Sequence, residues 1–157
     1  MPPISAIVHT HNDELRIGRL LQTLHPCDEI LIIDHGSADH TLRIAREYSA
    51  RIFQADSPTE HLSLARHDWL FCVRPNESLS EGLEATLFEW RYRATEEVQS
   101  VSAGAVVPRT ETPSGWIQSL PETRLVLKTC PQWQDQLPAH DPQAVVLQGD
   151  LLRFSLP

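Results

Sequence analysis

A chain of 157 residues with 41% apolar and 22% charged residues is long and hydrophobic enough to bury one core, which excludes a disordered segment. Its formal net charge is -8, from 21 acidic against 13 basic residues, and no Lys/Arg run stands out, so nucleic acid is not an expected partner. No window approaches the roughly 18 apolar residues of a membrane span, and the opening MPPISAIVHTHNDE carries neither a basic leader nor a signal-type apolar run.

Ser5 to His9 (SAIVH) reads as a short buried strand entering the polar turn Thr10-His11-Asn12. Asp13 to Leu24 follows as a helix, with Ile17, Leu20, Leu21 and Leu24 at helical spacing, acidic residues in its first turn and Pro26 to end it. Glu29 to Asp34 (EILIID) is apolar through its middle, the pattern of a parallel strand covered on both faces. After the turn His35-Gly36-Ser37-Ala38-Asp39 comes a helix from about His40 to Ala50, and Ile52 and Phe53 mark a third strand. Pro58 to His67 reads as a helix capped by Ser57. It leads into a buried strand, Trp69 to Val73. Past Ser80, the recurrence of Leu83, Leu87, Trp90, Ala94 and Val98 predicts a long helix. Beyond residue 100 the pattern weakens, with short strands expected at Ala105 to Pro108, Arg124 to Lys128 and Ala144 to Leu147 between Pro-containing loops. The β-α-β-α-β order implies an α/β fold with a mainly parallel sheet flanked by helices and right-handed crossovers. Cys27, Cys72 and Cys130 are widely spaced and form no C-x-x-C pair, which predicts reduced thiols and a cytoplasmic location.

In a parallel sheet three strand tips fall on one edge: His9-Thr10-His11-Asn12, Asp34 to Asp39, and Arg74-Pro75-Asn76-Glu77. Ligands are held at such an edge. A buried strand that ends in Asp and runs into Gly-Ser offers a carboxylate acceptor and a close approach of backbone to a ligand. The same turn has a plain structural reading, in which Asp34 or, better, Asp39 caps the next helix.

Taken in order, these segments resemble the opening of the family 2 glycosyltransferases, which have the GT-A fold, and most of all the branch with lipopolysaccharide core sugar transferases. The family enters a T-x-N-E-E turn from its first strand, then reaches a strand ending D-x-G-S-x-D-x-T and later A-x-V-F. Here the counterparts are Thr10-His11-Asn12-Asp13-Glu14, Asp34-His35-Gly36-Ser37-Ala38-Asp39-His40-Thr41 and Ala50-Arg51-Ile52-Phe53. The likeness is good over about the first 80 residues. Weaker echoes are Thr123-Arg124-Leu125-Val126-Leu127 for an R-L-F strand, His140-Asp141 for a His-Glu pair, and Leu147 to Phe154 for a closing strand and helix. The resemblance implies one nearly complete domain over residues 1–157, with a nucleotide-binding half at 1–100 and a shortened acceptor-side half at 101–157.

It also implies residue roles. Asp34 would hold the nucleotide base. Thr10, Asn12, Glu14, Gly36, Ser37 and Asp39 would lie against the nucleotide, and Asp141, with His140 beside it, would be the general base. A His-Asp pair in a loop also reads as a surface turn. The donor would be a nucleotide sugar, UDP-linked by preference, and the acceptor a saccharide or lipid-linked molecule of cell-envelope synthesis.

The family's fourth strand ends D-W-V-L-x-L-D-A-D-E, whose carboxylates hold magnesium or manganese on the diphosphate. This chain matches its start with Asp68-Trp69-Leu70-Phe71 but then has Arg74, Pro75, Asn76 and Glu77. A guanidinium repels a cation, so a magnesium or manganese cofactor is disfavoured. Two readings stay open: Arg74, with Asn76 and Glu77, forms an altered diphosphate site in which the guanidinium pairs with phosphate, or the domain is catalytically inactive and serves as a binding or protein-interaction module. The segment QADSPTEHLSLARH lacks the family's Q-x-N-x-A pattern, which favours the second. His9, His11, His35 and His40 with Asp39 lack the spacing of a zinc site, Trp90 reads as core, and Trp116 is the aromatic expected to meet an acceptor.

Overall fold

The computed structural model of the chain describes residues 2–54, 61–93, 97, 100–129 and 132–155. Strands β1 (Ile4–Thr10), β2 (Glu29–Asp34), β3 (Arg51–Gln54) and β4 (Trp69–Val73) pair in parallel in the order β3-β2-β1-β4. Thr10 sits opposite Asp34, Asp34 opposite Gln54, and Val8 opposite Val73, so the tips lie along one edge as the sequence predicts. Helices α1 (Ile17–Thr23), α2 (Thr41–Glu47) and α3 (His61–Leu64) lie in the connections.

After β4 the topology changes. A tight turn enters β5 (Glu77–Leu79), then α4 (Glu81–Trp90), β6 (Ala103–Thr112), β7 (Gly115–Gln118), β8 (Glu122–Leu127), β9 (Trp133–Gln134), β10 (Leu137–Pro138) and β11 (Val145–Arg153). Strand β8 joins β4 in the antiparallel sense, and the sheet continues β8-β6-β11-β5, with β7 on β6. The fold is α/β, and its sheet is parallel on the amino-terminal side and mixed beyond β4. Strands β9 and β10 form a separate hairpin.

Alternation along the strands builds a core on each face of the sheet. Ile4, Ala6 and Val8 of β1 join Leu20, Phe71, Leu87 and Trp90 on one face, while Ile7 joins Leu31, Leu70, Cys72 and Val126 on the other. Both faces of β1 and β4 are therefore covered, which explains their near-continuous apolar sequences. Trp90 meets Trp69 edge to face with ring centroids 4.9 Å apart, the core position expected of it.

Several boundaries differ from the expected ones. Helix α1 starts at Ile17 rather than Asp13, because residues 13–16 form a turn in which Arg16 and Ile17 donate N–H bonds to the Asp13 carbonyl. Helix α4 begins after Ser80, whose Oγ accepts from Leu83 N–H, and it stops at Trp90. Ser57, Pro58, Ala94, Val98 and Cys130 lie outside the described residues. Cys27 is partly buried and Cys72 is buried. Where a closing strand and helix are expected, Val145–Arg153 is strand throughout, with a bulge between Val146 and Asp150.

That bulge places Gly149 at φ 97° against the first turn of α4, where an added Cβ would stand 2.1 Å from Leu83 N. Gly36 also has positive φ, 81°, but nothing lies within 4 Å of its Cβ position. We expect Gly149→Ala to cost about 3 kcal/mol or more in urea unfolding, by backbone clash added to strain. Gly36→Ala should cost about 1 kcal/mol, from φ alone. Equal losses would contradict the close approach.

Candidate functional site

The β1 and β2 tips are sewn to each other. Asn12, held at φ 52°, accepts Ala38 N–H through Oδ1 at 2.7 Å and donates its own N–H to Ser37 Oγ at 2.9 Å. Glu14 accepts His40 N–H at 3.0 Å, while Asp39 accepts from Glu14 N–H and Thr41 N–H. Thr10 Oγ1 donates to Asp13 at 2.7 Å, and Thr41 Oγ1 accepts Asp13 N–H at 2.8 Å. The two loops predicted to touch a nucleotide thus satisfy each other's backbone groups; Asp39 accepts the N–H of Thr41, the first residue of α2, but the residue at the cap position is His40, and the helix has no side-chain cap bond.

Asp34 is 1% exposed. It accepts from Ser37 Oγ at 2.5 Å, Ser37 N–H at 3.1 Å and Gln54 Nε2 at 2.8 Å. Burial alone would raise its pKa, but the bonds from Ser37 and Gln54 prevail and hold the carboxyl below its usual range. Its carboxylate shapes the His35-Gly36-Ser37 turn from beneath. On the cleft side, His9 Nδ1 lies 2.8 Å from His35 Nε2, and His11 Nδ1 donates to the His35 carbonyl at 2.7 Å.

The Arg74-Pro75-Asn76-Glu77 turn divides by burial. Glu77 is wholly buried, with both oxygens engaged: Arg124 donates to them at 2.8 and 2.9 Å, Arg153 at 3.0 Å, and Arg74 N–H at 2.8 Å. Arg124, also buried, further meets Glu122 and the Cys72 carbonyl at 3.0 Å each. Burial opposes its charge, yet Glu77 and Glu122 more than offset that and raise its pKa. This corrects the expectation for Glu77: it is a structural acid under the turn, with no oxygen left for a cation or phosphate. Asn76 donates from its side chain to the Phe154 carbonyl at 3.3 Å. Arg74 is exposed, and its guanidinium makes no hydrogen bond or ion pair with the described residues.

Two adjoining cavities meet at this turn. One of about 620 Å³ is walled by His9, Asp13, Arg16, Arg74, Asn76 and the Gln134–Leu137 hairpin. The other, about 420 Å³, shares Arg74, Gln134, Asp135 and Leu137 with it and adds Glu122, Arg124 and His140. His140 also borders a third, more apolar cavity that holds Asp141. Asp141 accepts from Ser102 Oγ at 3.1 Å and Gln143 N–H at 2.8 Å, so the structure brings His140, but not Asp141, onto the cavity of Arg74. Trp116 packs edge-on to Phe154, centroids 5.4 Å apart, and lines neither of the first two cavities.

Sequence reasoning gave no ligand role to His9 or Asp13, although both lie in the β1 tip and its turn, and it passed over Arg16 and the Gln134-Asp135-Gln136 tip, which belong to no motif; only the fold carries the hairpin to the β4 tip. The donor set at that tip does not fit a divalent cation. It offers a guanidinium, an amide and a saturated carboxylate, and no cluster of three or more His, Cys, Asp or Glu among the described residues is arranged to hold a metal.

Comparison with known proteins gives the fold a place. Over 91 residues the chain is 28% identical to an uncharacterized glycosyltransferase of Rickettsia typhi, covering 54% of this chain and 31% of the relative. Over 46 residues it is 37% identical to the lipopolysaccharide core biosynthesis glycosyltransferase LpsC of Rhizobium meliloti, covering 29% and 17% of the two chains. The matched segment is about a third of the length of the first of these curated relatives. No protein-family model matches it. S. aureus TarS 1-349, solved with UDP-GlcNAc, superposes on 99% of this chain and 59% of its own at a TM-score of 0.67 and 16% identity. Glucosyl-3-phosphoglycerate synthase of Mycobacterium tuberculosis, solved with Mn2+, UDP and glucosyl-3-phosphoglycerate, covers 69% of this chain and 44% of its own at 0.54 and 16%. The chain is glycosyltransferase-like and has the GT-A fold. No helix among the described residues is long and apolar enough to cross a membrane.

Two measurements test the polar framework. Glu77→Gln leaves two guanidiniums, Arg124 and Arg153, to share Glu122 and should cost about 3–5 kcal/mol, part of it recovered when Arg124→Met removes the buried excess charge. Asp34 and Glu122 sit below their ordinary values of 3.8 and 4.5 when folded, Glu122 because Arg124 and Arg153 outweigh its burial. A depressed folded pKa adds stability that is complete above the unfolded value and lost as pH falls through the folded one. Asp34→Asn with Glu122→Gln should therefore lower the melting temperature at neutral pH and flatten its fall below about pH 4. Parallel curves would contradict this.

Proposed function

We propose that the cleft at the β1 and β4 tips binds a nucleotide sugar, UDP-linked, and passes the sugar to a saccharide or lipid-linked acceptor of the cell envelope, in the cytoplasm. One observation carries the reading: Arg74 presents an unengaged guanidinium to both adjoining cavities, on a turn whose other end is locked into the core by Glu77. The ligands of the TarS and mycobacterial structures and the role named for LpsC support the donor and pathway class.

In this reading the base lies over the turn that Asp34 braces, with Gly36, Ser37, Thr10 and Asn12 shaping its floor and Glu14 and Asp39 fixing the loops. The diphosphate lies against Arg74, with Asn76 beside it, and Arg16 adds positive charge from the facing loop. A guanidinium pairs with two phosphate oxygens at once and stays charged at any working pH, so it neutralises the departing diphosphate without a metal. The acceptor oxygen then bonds to the anomeric carbon as the carbon–phosphate-oxygen bond breaks and its electrons leave with UDP. Asp141 receives the hydroxyl proton, with His140 bordering both its cavity and that of Arg74. The chain works as one domain, residues 1–100 for the nucleotide and 101–157 for the acceptor side.

A second reading rests on the hydrogen bonds that both Asp141 oxygens already accept. It makes the chain an inactive module that binds the nucleotide or a protein partner and transfers nothing.

Calorimetry with UDP and UDP-sugars, with and without Mn2+, tests the proposal. We expect binding that manganese does not strengthen and that Arg74→Ala weakens by roughly 10- to 100-fold, the worth of one or two charge-assisted bonds. Absence of binding at millimolar nucleotide, or binding only with Mn2+, would refute it. Binding without turnover on any saccharide acceptor would select the inactive module.

A further inference from the structure

The β9–β10 hairpin has no part in the roles assigned so far, yet it stands at the junction of the two cavities. Its body is anchored: Trp133 and Leu137 pack on the core cluster of Ile7, Leu31 and Leu70, Pro138 is buried, and Ala139 N–H bonds the Gln132 carbonyl at 3.2 Å. Its tip is exposed, with Asp135 in the left-handed region at φ 55°. Gln134 and Asp135 line both cavities, as Arg74 does. The Asp135 carboxylate makes no hydrogen bond or ion pair with the described residues. The other acids lining these cavities are committed: Asp13 to Thr10, His11 N–H and Arg16, and Glu122 to Arg124 and Arg153.

A group in transit between a diphosphate at Arg74 and an acceptor on the His140 side has to lie where the cavities join. We infer that the Gln134–Asp135 tip reads that transferred group, and that the group is a neutral, hydroxyl-rich sugar rather than an acidic one. The inference rests on the donor-site reading above. A free carboxylate accepts from two neighbouring hydroxyls, and the Gln134 amide supplies both a donor and an acceptor. The same charge repels a sugar carboxylate, so the site selects against the acidic analogue as well as for the neutral one. It also repels the diphosphate, which keeps that group at Arg74 and Arg16 and orients the donor in the cleft.

Calorimetry on the whole chain separates the two layers of argument, with UDP, UDP-glucose, UDP-GlcNAc and UDP-glucuronate as probes. Asp135→Asn keeps the shape and tolerates the left-handed backbone, and Gln134→Ala is a second exposed change. In the native chain the neutral sugars should bind more tightly than UDP-glucuronate by about tenfold. Asp135→Asn should shrink that ratio to about twofold or less while UDP itself changes by no more than about twofold, and Gln134→Ala should weaken the neutral sugars relative to UDP. Ratios unchanged in both variants, with UDP still bound, would overturn the hairpin assignment alone. Failure of UDP to bind any of these proteins would overturn the donor-site reading and the assignment with it.

Discussion

The buried pairing of Glu77 with Arg124 is the contact on which the second half of the molecule depends. Two guanidiniums, from β8 and β11, meet two carboxylates, from β5 and β8, so the charge is balanced within the cluster. Such a cluster adds little net stability compared with apolar packing, but it makes wrong arrangements costly, because any strand out of place strands a charge in the core. It joins β4 and β5 to β8 and β11, which lie far along the chain and meet them by antiparallel pairing.

The position of Arg74 follows from this. Its backbone N–H bonds the same carboxylate that Arg124 holds, so the turn has one end in the core and the other at the cleft. A flexible side chain on a rigid base can reach into either cavity without the loop having to order itself. The charge that this turn presents to the cleft is therefore positive, permanent and directional, as a guanidinium is.

The other half of the cleft is built on local polar exchange. Asn12, Asp13, Glu14, Ser37, Asp39 and Thr41 bond across the β1 and β2 loops, and Asp34 braces the turn below. The residues that a motif reader assigns to a ligand here do structural service first. What these bonds fix is the shape and the exposed backbone of the two loops.

The sequence by itself determined the strands β1 to β4, their parallel pairing, the helix after Ser80 and the likeness to GT-A transferases. Each of these rests on periodicity or short-range chemistry: EILIID, the apolar repeat from Leu83 to Trp90, and the D-x-G-S turn are complete within a dozen residues. The same short range made Arg74 visible as a departure. Only the tertiary structure decided that Glu77 belongs to the core, that His140 but not Asp141 lines the cavity of Arg74, and that the Gln134–Asp135 tip reaches the junction beside Arg74. Those outcomes depend on pairing between strands 40 to 80 positions apart. A carboxylate's role is set by the charges brought to it across such distances, and no local pattern records them.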